Sequence, residues 1–377
     1  MLKYYIEVII RNLLKIFWIF PIDKRKIYFQ SLDGKRITCN PLYIFKCMCE
    51  KYPDYKWIWL YNSATKESTK GITYVKKNTI KWIKEILTCK ILITNGGFSP
   101  YFPYRKKQVL IETWHGGGAY KKMVSLFISN NNAVTKSLCY ISNCLCYYIS
   151  SSKKFTEVMS QSMMVNISKF LSIGMPRNDV FFNEMLVNNN KKNVIKKLGY
   201  NENEYIVLYA PTYRTSNIYL NLDVKQLKLK IKTRYKKDVK LLFRGHTTYN
   251  NVSLDSDYDY DVSQWNDMQE LLCAADMLIT DYSSSMWDYS FLYRPCFLFA
   301  PDIEEYMSNR GFYTDPYSWG FPICKNNEEL ANAIETFDAT KFIKAIKKHH
   351  DDLGSYEKGT ATEQIVEKIV NCLKSNE

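Results

Sequence analysis

Histidine is scarce in this 377-residue chain, and two of its four copies sit beside glycine in short turns: Trp114-His115-Gly116-Gly117-Gly118 and Arg244-Gly245-His246. Imidazole titrates near neutral pH, which suits proton transfer. Successive glycines let a backbone approach a ligand closely and adopt positive φ. A second group of residues suits an anion. Ser283, Ser284 and Ser285 follow an apolar run, Met277 to Thr280, that breaks at Asp281, and a helical pattern runs on from Trp287 to Leu292. Serines ahead of a helix cap its free amides, and amides and helix dipole together attract phosphate. Arg177, in Gly174-Met175-Pro176-Arg177-Asn178-Asp179, offers a planar fork for the same charge. Each feature also has a plainer reading. Most serine caps hold no ligand, a histidine beside glycine packs or caps its own turn, and an arginine between Pro176 and Asn178 ties down its own loop. No GxxxxGK[ST] phosphate loop is present.

The elements that must position these residues alternate. Ile27 to Gln30, Trp57 to Tyr61, Ile91 to Thr94, Val109 to Glu112, Cys146 to Ile149 and Phe170 to Ile173 read as strands. Pro41 to Glu50, Thr79 to Leu87 and Ser152 to Ser160 read as helices between them. The second half repeats the pattern, with strands at Tyr205 to Tyr209, Val239 to Phe243, Tyr258 to Val262, Met277 to Thr280 and Cys296 to Ala300, and helices at Asn266 to Ala274, Asn327 to Phe337, Lys341 to Asp351 and Thr360 to Leu373. Alternation of this kind predicts parallel sheets covered by helices, with ligands at the carboxyl ends of the strands. His115, Arg177, Thr212, Arg244 and Ser283 all fall just past strand ends. His349 and His350 lie in a basic helix and read as solvent-facing, as does the lysine run from Lys225 to Lys237. The polar stretch Asn188-Asn189-Asn190-Lys191-Lys192 marks a domain boundary, giving an N-terminal domain over 22–187 and a C-terminal one over 188–377.

Residues 1–21 form a unit of their own. Lys3, Glu7, Arg11 and Lys15 recur every four residues among Ile, Leu, Phe and Trp, which on a helix makes one charged stripe. Spanning a bilayer would cost about 2.5 to 3.5 kcal/mol for each basic residue. A helix lying in the membrane interface, or packed on its own domain, avoids that cost. The net charge of +14 predicts attraction to polyanions such as anionic lipid or phosphate-rich substrates. A nucleic-acid partner is not expected, because neither a low-complexity basic arm nor a zinc-finger spacing is present. The eleven cysteines lack metal-ligand spacing and read as reduced thiols filling apolar positions, and no acidic cluster announces a metal.

Taken in order, Trp114-His115-Gly116 with Lys121-Lys122-Met123, the Gly174 to Asp179 turn, Tyr209-Ala210-Pro211-Thr212-Tyr213-Arg214, Arg244-Gly245-His246 and Ile279-Thr280-Asp281-Tyr282-Ser283-Ser284 resemble the motif series of CDP-glycerol glycerophosphotransferases. Arg294-Pro295, Glu304-Glu305-Tyr306, Arg310-Gly311-Phe312-Tyr313 and Gly359-Thr360-Ala361-Thr362 extend the likeness, which covers roughly residues 90 to 370. Those enzymes build teichoic acids and related glycerol-phosphate polymers. The resemblance implies an α/β fold of two Rossmann-like domains facing a cleft, like a glycosyltransferase of the B type, with the nucleotide held mainly by the C-terminal domain. It implies a monotopic protein on the cytoplasmic face of the cell membrane, an anionic lipid surface as partner, CDP-glycerol or a related CDP-alditol as donor, a lipid-linked or polymeric glycan as acceptor, and no cofactor or metal.

Carried over by position, the resemblance makes His115 the general base and His246 a second catalytic group. Trp114, Gly116, Gly117, Gly118, Arg177, Pro211, Thr212, Arg244, Gly245, Ser283, Ser284 and Asp288 then line the substrate site. By its place one turn into the helix Asp288 suits alditol or ribose hydroxyls better than phosphate, and Asp281 reads as structural. One departure stands out. The family's usual His-Gly-Thr-Pro is here His115-Gly116-Gly117-Gly118, which removes a hydroxyl and a rigid ring and bears on the choice of acceptor or alditol. CDP-ribitol is the nearest rival donor, a nucleotide-sugar transferase of the same fold the next, and a non-catalytic polyanion-binding protein the rival of another class. The lack of a long accessory region favours priming or short transfer over extended polymerisation.

Overall fold

A computed structural model describes residues 1–62, 71–123, 132–212, 222–245 and 257–374. The chain forms two compact units, one of Met1–Gly117, Met123–Asp179 and Ser355–Glu377, the other of Gly118–Lys122 and Val180–Gly354. The division at 179/180 differs from the expected boundary at 188. Residues 188–192 lie inside a helix, Glu184–Leu198, which Asn183 caps through its side chain and left-handed Gly199 ends. Its asparagines and lysines are the solvent side of an amphipathic helix whose Val187, Val194, Ile195 and Leu198 are buried.

Among the described residues, the first unit holds a seven-stranded sheet ordered β3-β2-β1-β4-β5-β6-β7. The strands are β1 Asp23–Gln30, β2 Lys56–Leu60, β3 Ile72–Val75, β4 Cys89–Thr94, β5 Val109–Glu112, β6 Tyr147–Ser150 and β7 Phe170–Ser172. The second unit's six strands, ordered β10-β9-β8-β11-β12-β13, are β8 Tyr205–Tyr209, β9 Val239–Phe243, β10 Tyr260–Asp261, β11 Met277–Thr280, β12 Cys296–Phe299 and β13 Ile323–Cys324. Every pairing in both sheets is parallel. The central strands β4, β5, β8, β11 and β12 are buried along their whole length, as parallel strands covered on both faces must be. Strand order reverses between β1 and β4 in one sheet and between β8 and β11 in the other. Such switch points leave a crevice at the carboxyl ends of the strands.

Other differences from expectation have packing causes. Strands β3 and β13 are short edge elements with little period of their own. The helix Asn132–Cys144, rich in Ser, Thr and Cys, was not anticipated; it packs on the N-terminal helix Leu2–Leu14, where Arg11 lies 3.9 Å from the Tyr140 ring centroid and the Ser137 hydroxyl donates to Glu7. That packing takes the side of the first helix that carries Glu7 and Arg11. Glu7 and Arg11 are buried, while Leu2, Ile9, Leu13, Ile16 and Ile19 are 57–76% exposed. His349 and His350 are also buried rather than solvated: Nε2 of each meets a hydroxyl, of Tyr120 at 2.9 Å and of Ser290 at 2.7 Å. Burial pushes them down to about 3 and about 4.

Candidate active site

In the first unit the chain leaves β5 at Glu112 and turns at once. Trp114 takes a left-handed conformation (φ +53°), which lays its indole against the His115 ring with centroids 4.5 Å apart. Nδ1 of His115 lies 2.7 Å from the Asn95 carbonyl oxygen. A carbonyl only accepts, so Nδ1 carries the proton and the acceptor lone pair of the neutral ring is on Nε2. The residue itself is exposed. An oriented imidazole of this tautomer is the arrangement a general base needs.

The turn is held from beneath by residues that the sequence did not single out. The Glu112 carboxyl receives the Trp114 amide at 2.8 Å on one oxygen and the Gly97 amide at 2.9 Å on the other, tying the loop after β5 to that after β4. Burial outweighs those bonds and pushes Glu112 up to about 8. The Asn40 side-chain amide donates to the carbonyls of Thr113 and Trp114, both at 3.0 Å, and its oxygen receives the Arg177 amide at 3.1 Å. Asn95 had one visible sign, its place ahead of two glycines at a strand end. Glu112 and Asn40 had none, because a terminal strand residue and a residue before proline are ordinary features.

Of the three glycines, Gly118 alone has positive φ (+73°), and a Cβ there would lie 2.4 Å from the Tyr120 ring. Arg177 reaches away from its own turn. It is buried, with Nη1 3.0 Å from the Cys39 sulfur. Its turn also anchors the end of the chain: Glu357 receives the Met175 amide and the Asn178 side chain, and Asp179 receives the Ala361 and Thr362 amides.

In the second unit the candidate residues gather at the β8/β11 switch point. Asp281 Oδ2 accepts from the Thr212 amide at 2.9 Å and from its hydroxyl at 3.0 Å, joining the two strand ends that flank the crevice. Asp281 is therefore structural, as expected, and Pro211 and Thr212 are fixed beside it. Ser283 and Ser284 are half-buried at the start of the helix Ser285–Ser290. Ser284, the residue at the N-cap, makes no side-chain cap bond; Ser283 instead accepts from the Ser285 amide and hydroxyl at 3.3 and 3.0 Å. Tyr282 is pinned behind them by Asp302 and by the rings of Tyr306 and Phe312. The Arg244 guanidinium donates to the carbonyls of Val262 and Trp265, and the Gly245 amide donates to the Ser263 hydroxyl at 2.7 Å. Asp288 points inward, 3% exposed and 3.1 Å from Gln269 Nε2, and is not brought to the surface with the serines. His246, Tyr213 and Arg214 lie outside the described residues.

With both strand-end clusters in view, the sequence matches a family model described as CDP-glycerol:poly(glycerophosphate) glycerophosphotransferase over residues 12–371. The chain belongs to that family. It is thus an enzyme of the glycerophosphotransferase class. The teichoic acid poly(glycerol phosphate) polymerase of Bacillus spizizenii is 30% identical, with 94% of each chain covered. The polymerase of the same description from Bacillus subtilis is 28% identical over 93% of this chain, which spans 49% of that longer protein. Among solved structures, the wall teichoic acid polymerase TagF superposes with a TM-score of 0.83 at 25% identity, covering 100% of this chain and 97% of that one. The two-domain α/β architecture expected of the family is the one observed.

Proposed function

We propose that the chain transfers glycerol phosphate from CDP-glycerol to a hydroxyl of a lipid-linked glycan or polyol-phosphate acceptor at an anionic membrane surface, with release of CMP. The observation that carries the reading is the His115 ring, fixed through Nδ1 by the Asn95 carbonyl and exposed at the carboxyl end of β5. Nε2 takes the acceptor hydroxyl's proton as its oxygen attacks the β-phosphorus. The bond from that phosphorus to the bridging oxygen breaks, and CMP leaves with the bridging oxygen. General-base help of this kind is worth about 10² to 10⁴ in rate. The diphosphate is assigned to Ser283, Ser284, the Thr212 segment and the amides around them, with Arg244, Gly245 and His246 meeting charge that builds in the transition state. Gly116 and Gly117 are assigned to the acceptor side, while the space beside Gly118 is taken by the Tyr120 ring.

The membrane surface is supported by the first helix. A helix serving only its own domain buries its apolar side, yet this one buries Glu7 and Arg11 and turns Leu2, Ile9 and Leu13 outward. Each such side chain gains about 1.5–3 kcal/mol on entering hydrocarbon. Just beyond, Lys24, Lys90, Arg105, Lys106 and Lys107 surround a cavity of about 440 Å³, a basic collar suited to lipid phosphates. No described helix is long and apolar enough to cross a membrane, so the reading is of a helix lying on the surface.

A donor panel of CDP-glycerol, CDP-ribitol and UDP-sugars, with the product nucleotide identified, tests the reaction. CMP from CDP-glycerol is the expected product. CMP from CDP-ribitol alone moves the assignment to the sibling donor, and UDP from a UDP-sugar overturns it. Co-sedimentation with phosphatidylglycerol vesicles tests the surface: Ile9→Glu with Leu13→Glu is expected to cut binding at least tenfold.

A further inference from the structure

The switch point of the first sheet carries a cavity of about 580 Å³ that the chemistry above does not use. Gln30 and Thr94, at the carboxyl ends of β1 and β4, lie on its floor side with Tyr28 and Leu92, and the backbone of Gly96 and Gly97 borders it. Gly96 is the residue after Asn95, whose carbonyl holds His115, and Gly97 gives its amide to Glu112. This end of the cavity is therefore one residue from the group that orients the base.

Apart from the Asp33–Lys77 ion pair, Asn78 and Ser99, the remaining walls are largely apolar and aromatic. Trp82, Ile83 and Ile86 come from the helix Ile80–Thr88, and Phe102 and Tyr104 from the segment that precedes β5. Ile10 and Leu14, one turn apart on the first helix, close the cavity from outside. Their chain neighbours Ile9 and Leu13 are 57% and 68% exposed, so apolar surface runs around this helix from the cavity to the face assigned to the bilayer. A line of polar atoms crosses the aromatic wall: Trp82 Nε1 donates to the Tyr28 hydroxyl, which donates to Gln30, both at 3.0 Å. Aromatic walls with a few fixed polar atoms suit a ligand that is part hydroxylated and part hydrocarbon, and the volume is that of an ordinary ligand site.

We propose that this cavity is the acceptor subsite. It holds an amphiphile whose hydroxylated head lies at Gly96 and Gly97 and whose hydrocarbon chain leaves along Ile10 and Leu14 toward the lipid surface. The assignment rests on the lipid-linked acceptor of the preceding reading and gives it a place in the first unit, at the strand ends that carry the base.

A decyl glucoside bearing a diazirine in its alkyl chain, photolysed with the full chain, tests the site. Label is expected on residues 1–14 and 80–104, and Ile83→Trp, which fills the cavity, is expected to reduce it at least fivefold. The same variant raises KM for an alkyl-glycoside acceptor about tenfold while the Kd for CDP-glycerol stays within twofold. Should Ile83→Trp lower the melting temperature, Ser99→Trp at the polar rim gives the same readings with less disturbance of the core. Label elsewhere, or label and acceptor KM unmoved by both variants, overturns the assignment. Photolabelling needs no turnover, so a native chain that released no CMP would sink the functional reading and leave the cavity test intact.

Discussion

The loop that follows β5 and the loops that follow β8 and β11 serve the same kind of task with opposite economies of polar atoms. After β5, the His115 residue is exposed and its ring is oriented by the Asn95 backbone carbonyl, while the residues that hold the turn, Glu112 and Asn40, are buried beneath it. After β8 and β11, the side chains bond to one another, Asp281 to Thr212 and Ser283 to Ser285, so the loops that would receive the donor are also each other's scaffold. A proton acceptor needs an uncommitted lone pair and a fixed direction. A diphosphate site needs many donors fixed before the ligand arrives, which is the electrostatic form of preorganisation. Removing the ring from the first loop should therefore cost rate, and removing one of the mutually bonded groups from the second should cost structure as well.

Asp281→Ala is the strongest way to break that contrast. It deletes the acceptor of two Thr212 bonds in a buried setting and should cost about 1.5–3 kcal/mol of stability together with donor affinity, read as a lower melting temperature and a raised Kd for CDP-glycerol. Unchanged stability would mean that the two strand ends hold without it. The second unit also carries a pH liability on the acid side. His349 and His350 stay neutral in the fold, down to about 3 and about 4, whereas the unfolded chain protonates them near 6.5. The unfolded state binds more protons between those limits, so stability falls as pH drops from about 6.5 toward 4, by up to about 1.4 kcal/mol per pH unit for each histidine. Melting curves across that window check the sign, and His350→Gln should flatten the slope. Ser284→Ala is the smallest expected effect. No cap bond is lost, so stability should stay within about 0.5 kcal/mol while KM for CDP-glycerol rises a few-fold.

Much of the fold was legible because buried parallel strands are short apolar runs; β5, β8 and β9 fall where their sequences place them. What was hidden depended on partners distant in sequence. The helix Glu184–Leu198 reads as a polar linker until its four buried residues are seen together. The N-terminal charges read as one stripe, but pattern alone does not say which side of a helix its domain takes, and the helix Asn132–Cys144 takes the side of Glu7 and Arg11. In the site, the ring and the hydroxyls were visible as residue types at strand ends. Glu112 was not, since a carboxyl that receives amides from two different loops is defined only once the strands are adjacent.

The central claim is that His115 supplies chemistry and not architecture. His115→Ala, compared with the native chain in single-turnover CMP release from CDP-glycerol plus acceptor and in equilibrium binding of the donor, tests it directly. Release should slow by about 10² to 10⁴ while the melting temperature and donor Kd stay near native values. Release at the native rate, or a loss explained entirely by weaker donor binding or unfolding, would contradict the account.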